Sequence, residues 1–146
     1  TEIYTLSLHD ALPISSSEEK FEKYCEDSQK IKFWYKNGES SSEFFSIIYL
    51  EKMNKAWTFY PDYIVGDTKG NIWIIETKGG EDIYGNSKNI DIKVENKYEA
   101  LKTYAQKYNL KWGFIRDIDK EIFISSADEY KEDMKDESWV NVKYVL

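Results

Sequence analysis

This chain of 146 residues has one cysteine, one histidine and two prolines, and each shortage closes off a class of function. Cys25 has no second cysteine for a disulfide or a thiolate zinc site, so a reduced, cytoplasmic setting is expected. The only histidine is His9, close to the start of the chain. Beyond it there is no imidazole for a Ser-His-Asp triad, a histidine-built zinc site or a histidine-centred nuclease. No apolar run approaches the roughly 18–20 residues that span a bilayer, and no membrane association is expected. Positive charge is scarce too, with 20 Lys and Arg against 27 Asp and Glu, a net charge of −7.

The opening stretch "TEIYTLSLHDALPIS" resembles a translated short-read sequencing adapter, codon by codon from Thr1 to Ile14, with the last adapter base opening the Ser15 codon. On that reading residues 1–15 lie outside the domain, His9 and Pro13 go with them, and coding sequence upstream of about Ser16 is expected to be missing. The domain is then residues 16–146, one unit large enough for a real core. Taking Glu2 and Asp10 away from the 27 acidic residues leaves 25 against 20 basic ones. A free-standing DNA-binding module is usually basic, because phosphate neutralisation supplies most of its non-specific affinity. This chain would need clustered basic groups, or another part of a larger polypeptide to hold DNA; the second is the expectation.

What is present is a run of strand and helix signals. Residues 16–29 read as a helix, with Ser16 and Glu19 as a capping box and Phe21, Tyr24 and Cys25 as its apolar face. "KIKFWYKNG" follows as a strand alternating Ile31, Phe33 and Tyr35, and "SEFFSIIYLE" and "AWTFYPDYIV" as two more. "NIWIIETK" is apolar on both faces until Glu76, as in a sheet interior, and Gly79-Gly80 stops it. Residues 81–90 read as a loop. A helix from about Asp91 to Tyr108 has Val94, Tyr98, Leu101, Ala105 and Tyr108 on one stripe. "KWGFIRDI" and "EIFISS" are strands around a turn near 117–120, and the tail reads as a short acidic helix and a terminal strand.

The chemistry lies in "FYPDYIV" and "NIWIIETKGG". Asp67 to Asn71 has the glycine and polar residues of a five-residue hairpin loop. A hairpin symmetric about Lys69 sets Val65 opposite Trp73, Ile64 opposite Ile74 and Asp62 opposite Glu76. Opposed residues share a face with Cβ atoms about 4.5–5.5 Å apart, so the two carboxylates can share one Mg²⁺. Lys78, two residues beyond Glu76, emerges on the same face, where an ammonium can orient water and stabilise charge on a phosphate. The Thr77 carbonyl is a candidate further ligand. The plainer reading of a lone E-x-K is the solvated end of a strand; a facing Pro-Asp makes the pattern more specific.

With those residues in place, the chain resembles the PD-(D/E)xK nuclease superfamily. It is most similar to the C-terminal nuclease domain of type III restriction enzymes and related superfamily-2 helicase–nucleases. "IDIKVENKYEALKTYAQKY" is similar to the segment that follows the active site there. The resemblance covers residues 16–146 and is most specific over 59–108. It implies an α/β, restriction-endonuclease-like fold, a central mixed sheet flanked by helices. It further implies a Mg²⁺-dependent DNA endonuclease (Mn²⁺ substituting), an upstream helicase and a modification methyltransferase subunit as partner. It carries metal binding to Asp62 and Glu76 and the catalytic lysine role to Lys78. Many members add an acid from the first helix; Glu18 is chosen over Glu19 and Glu22. Lys97, bordering the buried stripe of the second helix, and Arg116 are candidate DNA contacts, as is Trp112, for which a core position is the more ordinary reading.

No Gly-x-x-x-x-Gly-Lys-Ser/Thr motif is present, so ATP dependence cannot be assigned to this chain. Two alternatives stand beside the leading one. One is a stand-alone junction or repair nuclease of the same superfamily, which the acidic balance disfavours. The other is a catalytically silent nuclease-like fold that serves as a docking module, which an intact Asp62, Glu76 and Lys78 disfavour.

Overall fold

The computed structural model describes residues 14–38, 44–51, 54–78 and 94–146. In chain order its elements are α1 (Ser16–Asp27), β1 (Ile31–Lys36), β2 (Ile47–Glu51), β3 (Lys55–Phe59), β4 (Tyr63–Asp67), β5 (Ile72–Lys78), α2 (Val94–Lys107), β6 (Lys111–Ile118), β7 (Glu121–Ser125) and β8 (Val140–Asn141). The fold is mixed α/β, as expected. Six strands form one sheet in the order β1-β4-β5-β6-β7-β8, and β2 and β3 form a separate hairpin. β5 and β6 pair in parallel, while the other neighbours are antiparallel. A parallel pair needs a crossover, and α2 lies on the path between those two strands.

The two faces of the sheet bury different helices. Phe21 and Cys25 of α1 pack on Tyr63, Val65, Trp73, Ile75, Ile115 and Ile124. Val94, Tyr98, Leu101 and Ala105 of α2 pack on Ile74, Trp112 and Phe114, joined by Ile47 and Phe59 of the small hairpin. Successive residues of β5 therefore serve opposite cores, which is why its run reads as continuously apolar. Each large side chain buried in this way contributes roughly 1.5–3 kcal/mol. α2 ends in a Schellman turn: Asn109 takes φ 53°, and the Leu110 N–H reaches the Ala105 carbonyl at 2.8 Å.

Several expectations need correction. The capping box is one residue earlier, with Ser15 as N-cap and Glu18 closing it, so Ser15 belongs to the folded unit. The rest of the adapter-like stretch, residues 1–13, lies outside the described residues, as do the expected loop at 81–90 and the start of the second helix. "AWTFYPDYIV" is two strands in two sheets, because Tyr60, Pro61 and Asp62 break it. A register shift between Ile31 and Phe33 interrupts the alternation in β1. Trp34 packs on the α1-side core, while Phe33 and Tyr35 are about half exposed. Tyr108 falls beyond α2 and is exposed. The acidic tail forms turns, not a helix, and it closes with two residues of β8 and a 3-10 turn at Val142–Tyr144. Asp133 and Asp136 accept from the N–H groups of Lys135 and Ser138, local bonds that compete with helix formation.

Candidate active site at the open end of the β4–β5 hairpin

The hairpin has the register its symmetry requires: Tyr63 opposite Ile75, Ile64 opposite Ile74 and Val65 opposite Trp73. Asp62 stands one residue before β4, at the level of Glu76. Strand pairing continues past it, since the Asn37 N–H donates to the Asp62 carbonyl at 2.7 Å. The Asp62 carboxylate is fixed from the next strand: its Oδ2 accepts both the Thr77 N–H and the Thr77 hydroxyl, each at 2.7 Å. Thr77, expected to offer its carbonyl to a metal, is thus seen as the clamp that orients Asp62.

Glu76 is buried, 4 % exposed, on the face that α2 covers. Lys78 Nζ lies 3.2 Å from its Oε1 and Lys97 Nζ lies 4.0 Å from the same oxygen. Its other oxygen, Oε2, is buried with no hydrogen-bond partner among the described residues. Burial, and then the charge of Asp62, push the Glu76 carboxyl up to about 8 against the pull of Lys78 and Lys97. Asp62 is also raised, chiefly by burial, with Glu18 adding to the effect and the two Thr77 hydrogen bonds opposing it. A buried carboxylate oxygen near a second carboxylate whose charge opposes its ionisation is a site that a divalent cation would relieve.

The donor set fits Mg²⁺ in one respect and limits it in another. Among the described residues, no three Asp, Glu, Cys or His side chains form a metal-holding group. Mg²⁺ is commonly held by one or two carboxylates, with water completing the shell, so Asp62 and Glu76 suffice in kind. Glu18 is close enough for Asp62 to feel its charge. Its own oxygens are engaged, Oε2 by the Ser15 N–H at 2.8 Å and Oε1 by Lys36 at 3.7 Å. Glu19 is exposed. Glu22 accepts from the Tyr63 hydroxyl at 2.7 Å and from Lys36 at 3.0 Å.

Two expected DNA contacts part company. Lys97 reaches the site from α2, its ammonium 6.0 Å from the Phe59 ring centroid. Arg116 is not at the surface. It is fully buried, donates to the Glu132 carbonyl at 2.6 Å and the Tyr130 hydroxyl at 3.4 Å, and stacks over Trp139 at 5.5 Å. It anchors the irregular segment after β7 to the sheet. Trp112 is core, edge-on to Tyr98 at 4.9 Å.

Sequence reasoning missed the Thr77 clamp and the Lys36–Glu22–Tyr63 network on the α1 side of Asp62. The signal for the clamp was a hydroxyl residue between Glu76 and Lys78. For the network it was the pairing of Lys36 with Tyr63, the neighbour of Asp62.

No protein-family model matches the chain, and no curated protein matches it. Among the described residues, no helix is long and apolar enough to cross a membrane.

Proposed function

We propose that this chain is a Mg²⁺-dependent DNA endonuclease domain, the nuclease end of a type III restriction-type helicase–nuclease working in the cytoplasm beside a methyltransferase subunit. The observation that carries this reading is the buried Glu76 carboxylate, one oxygen orphaned, with Asp62 and Lys78 on the same end of one hairpin. Asp62 and Glu76 are the residues that would hold the cation, with Mn²⁺ as a substitute. When bound, it supplies Lewis-acid polarisation of the scissile phosphate and a lowered pKa for the attacking water.

The chain's own residues do the positioning. Thr77 holds the Asp62 carboxylate in one place through two hydrogen bonds. Lys78 orients the water and offers positive charge to the phosphate oxygens as negative charge grows on them. Lys97 adds a second ammonium from the helix side. The cores around Ile74, Phe59 and Val94 keep this end of the sheet dry, where such charges act most strongly.

The test is cleavage of plasmid DNA in Mg²⁺ by the whole chain and by its Asp62→Ala and Lys78→Ala variants. Cutting that needs Mg²⁺ and falls roughly 10²–10³-fold in Lys78→Ala, and at least as far in Asp62→Ala, is expected. Mg²⁺-dependent cutting that survives both substitutions overturns the site. A wild-type chain that cuts nothing, even when joined to its motor, leaves the docking-module reading in its place.

A further inference from the structure

We propose that Phe33 and Tyr35 form a base-stacking shelf beside the carboxylates, and that the strand entering the site is single-stranded or splayed DNA. The inference rests on the nuclease reading for the identity of the ligand, and on the geometry of β1 for the shelf.

Both rings lie on the face that carries the site. Tyr35 is opposite Ile64, Ile64 is opposite Ile74, and Ile74 packs in the core under α2. Glu76 and Lys78 follow Ile74 at two-residue steps along β5 and so share its side. The β1–β4 ladder runs on through Lys36 opposite Tyr63 to the Asn37 N–H on the Asp62 carbonyl. Tyr35 and Asp62 are therefore diagonal neighbours on adjacent strands, a spacing of about 7–8 Å. A base on Tyr35 belongs to a nucleotide next to the phosphate at the carboxylates.

Both rings are exposed, and the Phe33 ring is also held. Phe33 and Tyr35 are 48 % and 49 % exposed, on the outermost strand of the sheet. The Phe33 ring fills the place of a side chain at Gly66: a Cβ there would meet Phe33 Cε1 at 2.2 Å. Glycine is required at that position for the ring to lie against the strand. A ring fixed on one side and open on the other is a platform, and it loses little freedom when a base lands on it.

Spacing and charge select the ligand. Two residues apart on a strand, Phe33 and Tyr35 leave the backbone from Cα atoms about 6.6 Å apart. Bases in a duplex are stacked about 3.4 Å apart, so the two rings suit bases pulled out of mutual stacking. With a net charge of −7 the chain has a weak electrostatic grip on phosphate. Stacking on aromatic faces supplies affinity that does not depend on charge and tolerates any base sequence.

The experiment measures binding of fluorescein-labelled oligothymidylate and of a blunt duplex to the whole chain carrying Asp62→Ala, by anisotropy at low and high salt. Phe33→Leu and Tyr35→Leu, which keep apolar bulk and fold, are added singly and together. Leu50→Ser is the control, since Leu50 is apolar and 69 % exposed on the separate hairpin. The expected result is tighter binding of the single strand than of the duplex. Each leucine substitution weakens single-strand binding roughly fivefold or more, and Leu50→Ser does not. Equal losses in the control, or none in the double variant, overturn the shelf. So does self-association that the ring substitutions abolish while single-strand binding persists, which would give the surface to a protein contact. A wild-type chain that cuts no DNA even when joined to its motor, paired with ring-dependent binding, sinks the nuclease reading and leaves the shelf standing. Cutting with ring-independent binding does the reverse.

Discussion

One hairpin carries two buried carboxylates with opposite fates. At its closed end Asp67 accepts from Lys69 N, Asn71 N, Asn71 Nδ2 and Trp73 Nε1 at 2.8–3.0 Å. Burial alone would raise this carboxyl; the bonds from Trp73, Asn71 and Lys69 outweigh it and hold it down to about 2. At the open end Glu76 keeps a buried oxygen with no donor among the described residues and is pushed up to about 8 by burial and Asp62. Both side chains are largely covered, 8 % and 4 % exposed, but Asp67 lies shallow at the turn while Glu76 lies deep in the sheet. Depth and donor supply together separate them. Asp67 ties the turn together, whereas Glu76 is kept in a state that its own surroundings oppose, as expected of a group waiting for a ligand.

Neutralising each acid in turn puts the contrast at risk. Glu76→Gln is expected to cost roughly 10²–10³-fold or more in Mg²⁺-dependent cleavage. At pH 9 it should leave the metal-free thermal midpoint unchanged or higher, because a buried charge has gone. Asp67→Asn is expected to keep cleavage and lose roughly 1–3 kcal/mol of stability, a fall of several degrees. Plasmid nicking and thermal melts on the same samples read both. A Glu76→Gln chain that melts well below wild type at pH 9 would make Glu76 a structural acid like Asp67.

pH sharpens the same comparison. The folded pKa of Glu76, about 8, lies above its ordinary 4.5, so between those values the folded chain keeps a proton that the unfolded chain has released. Stability of the metal-free protein therefore falls as pH climbs through that window, by a few kcal/mol in order of magnitude. Asp67 acts in the other direction. Its folded pKa of about 2 lies below 3.8, so its contribution is full above 3.8 and is lost as pH falls through about 2. Urea titrations from pH 5 to 9 should show a decline that Glu76→Gln removes and Asp67→Asn does not. A flat profile in the wild type would contradict the raised carboxyl.

Much of this hairpin was legible in the sequence, and the limits have physical causes. Its register followed from the composition of the Asp67–Asn71 turn, because a short loop fixes which residues oppose each other. The α2 stripe followed from helical spacing up to Ala105, and failed at Tyr108 because Asn109 turns the chain away. The break between β3 and β4 was hidden in a run rich in strand-forming residues; Pro61, which has no N–H for a ladder, was the signal available. Glu18 was chosen as the inward acid, yet its part in the capping box was assigned one residue too late, because Ser15 had been set aside with the stretch before it. Arg116 shows the deeper limit. A charge in the middle of "KWGFIRDI" reads as surface, and only partners some 14–23 residues downstream, Tyr130, Glu132 and Trp139, make it interior.

That reversal gives the finest test of where the charges of the site lie. Lys97 and Arg116 were both expected to touch DNA, but only Lys97 stands beside Glu76. Lys97→Met keeps most of the side chain's apolar length and is expected to lower cleavage roughly tenfold, with little change in the thermal midpoint. Removing one nearby ammonium weakens charge stabilisation without opening the core. Arg116→Met should do the opposite, lowering stability because the Glu132 carbonyl and the Trp139 ring lose their buried partner. Its effect on cleavage per folded molecule should be small. Cleavage rates normalised to the folded fraction distinguish the two. If Arg116→Met instead abolished cleavage while melting like wild type, the buried arginine would be acting on the site, and the division of labour between the two basic residues would be wrong.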